Sequence, residues 1–250
     1  MRSLRFPWFV LPLLAAWPLH AQQLAATCHA SSSYDLTVQP DDLLFDRAAP
    51  APRRVLLHDG TLRVDGRAVA LNDENQDRLT LFERDLRALV PRVKAVAGQG
   101  VDVAVQAIRS EADGMNPSAD TRAELDRRLA VDAADLKRRI AASHSTHDWH
   151  GTAASQYAQR LATDIVPLLA ADIGQQALTA ALSGDLQGAA ALRERASRLA
   201  NAWPARLQQR MQVLRPQVEA LCPDIRRLAT LQQAIRDDQG RPLDLLQLDQ

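Results

Sequence analysis

From Cys28 to about Leu71, apolar and polar residues alternate with a period of two. Tyr34-Asp35-Leu36-Thr37-Val38 alternates, and Asp42-Leu43-Leu44-Phe45 follows a break at Pro40. The run Arg54-Val55-Leu56-Leu57-His58 ends at Asp59-Gly60. Leu62-Arg63-Val64 ends at Asp65-Gly66, and Ala68-Val69-Ala70-Leu71 follows. Asp-Gly between two apolar runs signals a two-residue hairpin, because the primed turns need positive φ. The pattern predicts four or five short antiparallel strands, with Ala48-Ala49-Pro50-Ala51-Pro52 as a loop. So small a sheet cannot bury itself and has to lean on a helix.

The period then changes. Asn72 suits an N-cap, and Asp73 and Glu74 face the positive end of the helix dipole. Leu79, Phe82, Leu86, Leu89, Val93 and Val96 recur at steps of three and four, which predicts a heptad seam. Pro91 lies inside it and predicts a kink, and Asp113-Gly114-Met115-Asn116-Pro117 ends it. A second helix is expected from Ser118 or Asp120 to about Ser143, carrying Leu125, Leu129, Leu136 and Ile140. A third is expected from Thr152 to Leu182, with Tyr157, Leu161, Ile165, Leu168 and Ile173 and an Ala-rich face. Ser183-Gly184-Asp185 breaks it, and a fourth segment with Leu192, Leu199 and Trp203 meets Pro204. Heptad spacing resumes at Leu207, Met211, Leu214, Val218, Leu221, Ile225 and Leu228, where Pro216 and Pro223 call for kinked or serial helices. The tail is polar after Asp237, and Leu243, Leu245, Leu246 and Leu248 either dock or stay loose. The fold class is α+β, mainly α: a small antiparallel β module followed by long kinked helices in a bundle or coiled-coil-like arrangement. The expected divisions are a leader at 1–21, the β-hairpin module at 22–71, a helical body at 72–237 and a tail at 238–250.

The leader is an address. Arg2 and Arg5 precede an apolar run from Phe6 to Leu19, and His20-Ala21 offers a small residue to a peptidase. That is the layout of a secretory signal peptide, too short to span a bilayer. Thr27 directly before Cys28, with Leu24 one place too far away, argues against lipidation. No later segment reads as a membrane span, so a soluble exported chain is expected. Its two cysteines, Cys28 and Cys222, are an even count in an oxidising compartment, which favours a disulfide. A redox pair is the other reading, although redox motifs usually hold their cysteines two residues apart.

Losing Arg2 and Arg5 with the leader takes the formal net charge from +0 to about −2. A balanced chain provides no electrostatic argument for a nucleic-acid partner. Its basic residues are almost all arginine, interleaved with acids as in Glu83-Arg84-Asp85, which reads as solvated helix surface.

These ordered features resemble one family. A cysteine opens a short β region, hairpin strands lead into Arg63–Val93 (RVDGRAVALNDENQDRLTLFERDLRALVPRV), and a helical body follows with a second cysteine. This resembles the YggN-like periplasmic proteins of Gram-negative bacteria. The likeness is clearest from Cys28 to about Val93, including the Gly66 turn, the Leu71-Asn72 helix entry and the Leu89-Val90-Pro91 step. It thins through the helical body, with His150 and Cys222 as further anchors. The resemblance implies a periplasmic location, this order of elements and the disulfide. It implies no activity and no catalytic residues.

The sharpest candidate chemistry is His144, His147 and His150, with Asp148 among them. Three imidazoles and a carboxylate could bind zinc, copper or nickel. On a continuous helix, however, steps of three drift by about 60° each, so a turn at His147 to Gly151 would be needed to bring them together. Glu111 and Asp113 are further conceivable ligands. Ser31-Ser32-Ser33 and Ser143-His144-Ser145 lack an acyl-transfer setting. Asp41-Asp42 and Asp237-Asp238 read as turn and tail solvation, and Trp149 and Trp203 as packing residues. The expectation is a non-catalytic protein without a cofactor. Its partner is an envelope protein or a second copy meeting it through helices. Metal binding by the three histidines is the alternative.

Overall fold

The computed structural model describes residues 27–149 and 152–248. The strands among the described residues are β1 (Ala30–Ser31), β2 (Asp35–Val38), β3 (Asp42–Asp46), β4 (Arg54–His58), β5 (Thr61–Val64), β6 (Arg67–Val69) and β7 (Gln247–Leu248). The helices that follow the sheet among the described residues are α1 (Asp73–Asp113), α2 (Ala119–Ala142), α3 (Thr152–Leu182), α4 (Leu186–Met211), α5 (Arg215–Glu219) and α6 (Cys222–Gln232). The predicted class, α+β and mainly α with the sheet first, is the one observed.

Strands β2 to β6 form an antiparallel meander in sequence order. Both Asp-Gly turns have the backbone their residue types predict: φ is +44° and +74° at Asp59-Gly60, and +47° and +83° at Asp65-Gly66. Register places Leu43 opposite Leu57, Phe45 opposite Val55, and Leu57 opposite Leu62. These residues and Val64 are buried, in the alternation expected of a sheet with one covered face. The covering helix is α1, whose Leu79, Phe82, Leu86 and Leu89 share that core. The Phe45 and Phe82 rings lie 6.1 Å apart. Asn72 caps α1 by accepting from the Asn75 amide at 2.9 Å.

Glu83 ties sheet to helix. Its buried carboxylate accepts the Gly60 amide at 2.9 Å and the Asp59 amide at 3.2 Å. A Cβ at Gly60 would lie 2.9 Å from the Gln76 carbonyl oxygen, so the turn can approach α1 only as glycine. Burial pushes the Glu83 carboxyl above its ordinary value, against the two backbone bonds that favour its charge.

The segments at either end of the described residues close the same core. Cys28 and Cys222 are joined, with Cα atoms 5.1 Å apart, and both are buried. β1 pairs with β7, Ala30 opposite Leu248. The tail docks: Ile235, Leu243 and Leu245 are fully buried. Gln232 holds it by donating to the Leu246 carbonyl and accepting the Leu246 amide. Asp237, read from sequence as tail solvation, is instead buried and accepts the Gln239 and Arg241 amides and the Arg241 guanidinium.

The prolines act differently from expectation at one place. Pro216 and Pro223 sit in the first turns of α5 and α6, where a missing N–H costs nothing, so these helices are serial. α4 was expected to break at Pro204 but continues through it to Met211. It packs along α1 and α3. α1 likewise continues through Pro91.

A second, smaller core lies at the far end of α1. It joins Ala112, Leu125, Leu129 and Ile165, with Val105, Ile108 and Leu168 partly buried around it.

Candidate interaction surface

α3 and α4 form a helical hairpin whose base is fixed and whose end is free. Ser118 caps α2 by accepting the Thr121 amide at 3.2 Å. At the turn between α1 and α2, the Ser118 amide donates to Asp172 on α3 at 3.2 Å, and the Thr121 hydroxyl donates to it at 2.9 Å. Gln176 donates to Asp172 at 2.6 Å and to the Asn116 carbonyl at 3.2 Å. Burial pushes the Asp172 carboxyl up, but these hydrogen bonds outweigh it and hold the group below the ordinary carboxylate value. Lower on α3, Arg128 donates to the Asp164 carbonyl at 2.7 Å.

Beyond Gln176 both helices run past the α1–α2 turn. Gly184, with φ +81°, makes the reversal, and Asp185 caps α4 by accepting the Gly188 amide at 2.7 Å. From Ile173 to Leu192 Asp185 is the one charged residue, and none of these residues is buried. Leu178 is 58% exposed, Leu182 80% and Leu186 71%. Val166, further down α3, is 59% exposed. An apolar hairpin end of this kind is what a soluble monomer has little reason to keep.

The expectation that no later segment is long and apolar enough to cross a membrane does not hold for Thr163–Leu182. Its 20 residues reach a mean hydropathy of 1.3, with 6% of the window buried. The Ala-rich composition hid this, because it reads equally well as the inside of a bundle.

His147 serves the edge of the sheet. Residues 143–149 cap the free edge of the sheet. The Val38 amide donates to the His144 carbonyl at 2.8 Å, and the Leu36 amide donates to the Thr146 hydroxyl at 2.9 Å. His147 lies between two carboxylates: Nε2 is 3.0 Å from Asp46 and Nδ1 is 3.2 Å from Asp35. Opposite ring nitrogens engaged by different acids make a clamp, and they cannot share one metal ion. Trp149 donates to Ser143 at 2.9 Å. Among the described residues no three His, Cys, Asp or Glu side chains are placed to hold a metal. His150 lies outside the described residues, as does the leader at 1–21. The side chains of Tyr157, Leu161, Leu199, Trp203 and Leu207 are not among those described.

Glu111 and Asp113 are paired with arginines. Arg206 donates to buried Glu111 at 2.7 Å, and Arg122 lies 3.0 Å from Asp113. Glu111 and Arg206 line an open cleft of about 790 Å³ between α1 and α4, with Asp102, Gln106 and Arg210. The buried carboxylate there is paired with Arg206.

A family model covers residues 28–246, from the first cysteine of the staple to the docked tail. The chain belongs to that family, described as protein of unknown function (DUF2884). The DUF2884 match spans both cores and both cysteines, so the hairpin and the sheet lie within one family region. No curated protein and no solved structure matches the chain.

Proposed function

We propose that this DUF2884 protein is a soluble, non-catalytic periplasmic protein of helical scaffold type, with a chaperone-like or envelope-interaction role. Its partner is an apolar segment of an envelope protein, met at the end of the α3–α4 hairpin. The observation that carries this is the uncovered apolar end at Leu182 and Leu186, set on a base fixed by Asp172. Covering a leucine stabilises by roughly 1.5–3 kcal/mol, so a partner that covers both gains several kcal/mol. The Arg2-to-Ala21 leader layout and the resemblance to YggN-like periplasmic proteins support the location. The buried, joined cysteines suit an oxidising compartment.

The test is a photo-cross-linking residue at position 182 in the native exported protein. Capture of an envelope protein, lost when Leu178→Asp and Leu186→Asp are added, is the expected result. A cross-linker that captures no protein other than this chain overturns the reading.

A further inference from the structure

The cleft between α1 and α4 is lined by one face of each helix. On α1, Val103, Gln106 and Glu111 share that face, and on α4 Arg206, Gln209 and Arg210 do so. Val213, just past the end of α4, adds an apolar side chain that is 62% exposed.

Arg206 and Arg210 are one helical turn apart, where like charges repel and weaken the helix that carries them. Both are nevertheless anchored on α1. Arg206 Nη1 donates to Glu111 Oε2 at 2.7 Å, and Arg210 Nη2 donates to the Ser110 hydroxyl at 2.7 Å. The Glu111 side chain is 8% exposed, so this pair has a buried acidic half. A buried pair stabilises a fold little more than apolar side chains of the same volume would. Its remaining effect is to fix the direction of Arg206 beside the cleft. Each anchoring bond takes one of five guanidinium N–H groups, so both arginines keep donors for a ligand.

Pairing leaves one charge over. Glu111 balances Arg206, and Lys137 on α2 balances Asp102 at the cleft wall. Arg210 is exposed and meets a neutral hydroxyl, with no carboxylate partner among the described residues. The cleft therefore favours an anion. Its two carboxylates are already engaged by cations, which disfavours a metal ion.

We infer that this cleft binds the C-terminal end of a peptide. Arg210 and Arg206 take its carboxylate, Gln106 and Gln209 its last peptide groups, and Val103 and Val213 an apolar terminal side chain. A carboxylate matches the planar guanidinium fork. Gln106 and Gln209 are exposed, and their side-chain amides have no hydrogen-bond partner among the described residues. Each carries a donor and an acceptor, the complement of a peptide unit. Inorganic phosphate would use the arginines and leave the glutamines and valines without a role. The volume of about 790 Å³ lies within the range of small-ligand sites. The inference stands independently of the α3–α4 hairpin end.

Calorimetric titration of the disulfide-bonded protein with N-acetyl-alanyl-alanyl-leucine tests this. A Kd on the order of 100 μM is expected, with the C-terminal amide of the same peptide at least about 10-fold weaker. Arg210→Gln, whose parent side chain meets only Ser110 and solvent, keeps the melting curve and loses the preference for acid over amide. Ser110→Ala frees Arg210 and reduces that preference by a few fold, as a positioning residue should. Arg215→Gln, on α5 outside the cleft, leaves binding unchanged. The same three residues at the end of a carrier protein bind equally where protein C-termini are the ligand, and are refused where free peptides are. No binding of the acid at about 1 mM overturns the inference. So does an amide that binds as well as the acid, or an Arg210→Gln variant that keeps the preference. Inorganic phosphate that binds as tightly as the peptide acid assigns the cleft to simple anions instead.

Discussion

Phe82 and Leu129 are both fully buried, yet they keep different company. Phe82 lies in a core that draws on the meander, α1, α6 and the tail, closed by the Cys28–Cys222 bond and the β1–β7 pair. Leu129 lies in a core of a few residues from three helices that follow one another along the chain. Much of the surrounding surface is held by ion pairs such as Arg128 with Glu124 and Lys137 with Asp102. Exposed pairs of this kind contribute little each. The first end is sealed by contacts between distant parts of the sequence. The second is left thin, and it carries the uncovered leucines. Interaction elements are drawn from the less stable parts of a fold, since those can rearrange when a partner arrives.

The largest test of this contrast removes the staple. Cys28→Ser with Cys222→Ser is expected to lose up to about 5 kcal/mol, the chain-entropy value for a loop of this length. Urea titration measures it, and a loss below about 1 kcal/mol would mean that β1–β7 and the docked tail close this end unaided. Next, Phe82→Ala is expected to cost about 3–5 kcal/mol, and Leu129→Ala nearer 2–3 kcal/mol because its sparse surroundings can collapse. Hydrogen exchange should show α3 and α4 amides opening before those of β3 and β4. Equal protection in both regions would erase the distinction. Asn72→Ala should cost about 1 kcal/mol through the lost cap, read as a shift in the urea midpoint.

The smallest expected effect is the pH response of the edge clamp. The hydrogen bond to Asp46 raises the His147 pKa against desolvation, with the charges of Asp35, Asp46 and Asp148 adding to it. A raised folded value means that the clamp's contribution is fully present below the ordinary histidine value of 6.5 and is lost as pH rises through the folded value. The Leu36 and Val38 amides should lose protection across that window. His147→Asn should abolish the dependence, and a parent whose protection is flat across the window shows that the clamp does not hold the edge.

Local chemistry was legible from the residues alone. Asp59-Gly60 and Asp65-Gly66 turn where a primed hairpin requires positive φ, and Asn72 and Ser118 cap where their side chains reach back to an amide. The α1 seam from Leu79 to Leu89 is the face that became buried. Spacing could not assign the histidines. His147 meets Asp35 and Asp46, more than a hundred residues earlier, and only the sheet edge brings them together. Spacing also could not assign the Ala-rich side of α3, because the same pattern serves an inner and an outer helix face.

By itself, then, the sequence determined the meander strands, their two Asp-Gly turns, the caps of α1 and α2 and the order sheet-then-helices. These depend on propensities and hydrogen bonds within a few residues. It also supplied two cysteines that favour a disulfide in an oxidising compartment. Tertiary structure decided which apolar faces are covered. Leu243 and Leu245 went into the sheet core, while Leu182 and Leu186 were left in water. Burial depends on whether another element arrives from elsewhere in the chain, and no local pattern records that arrival.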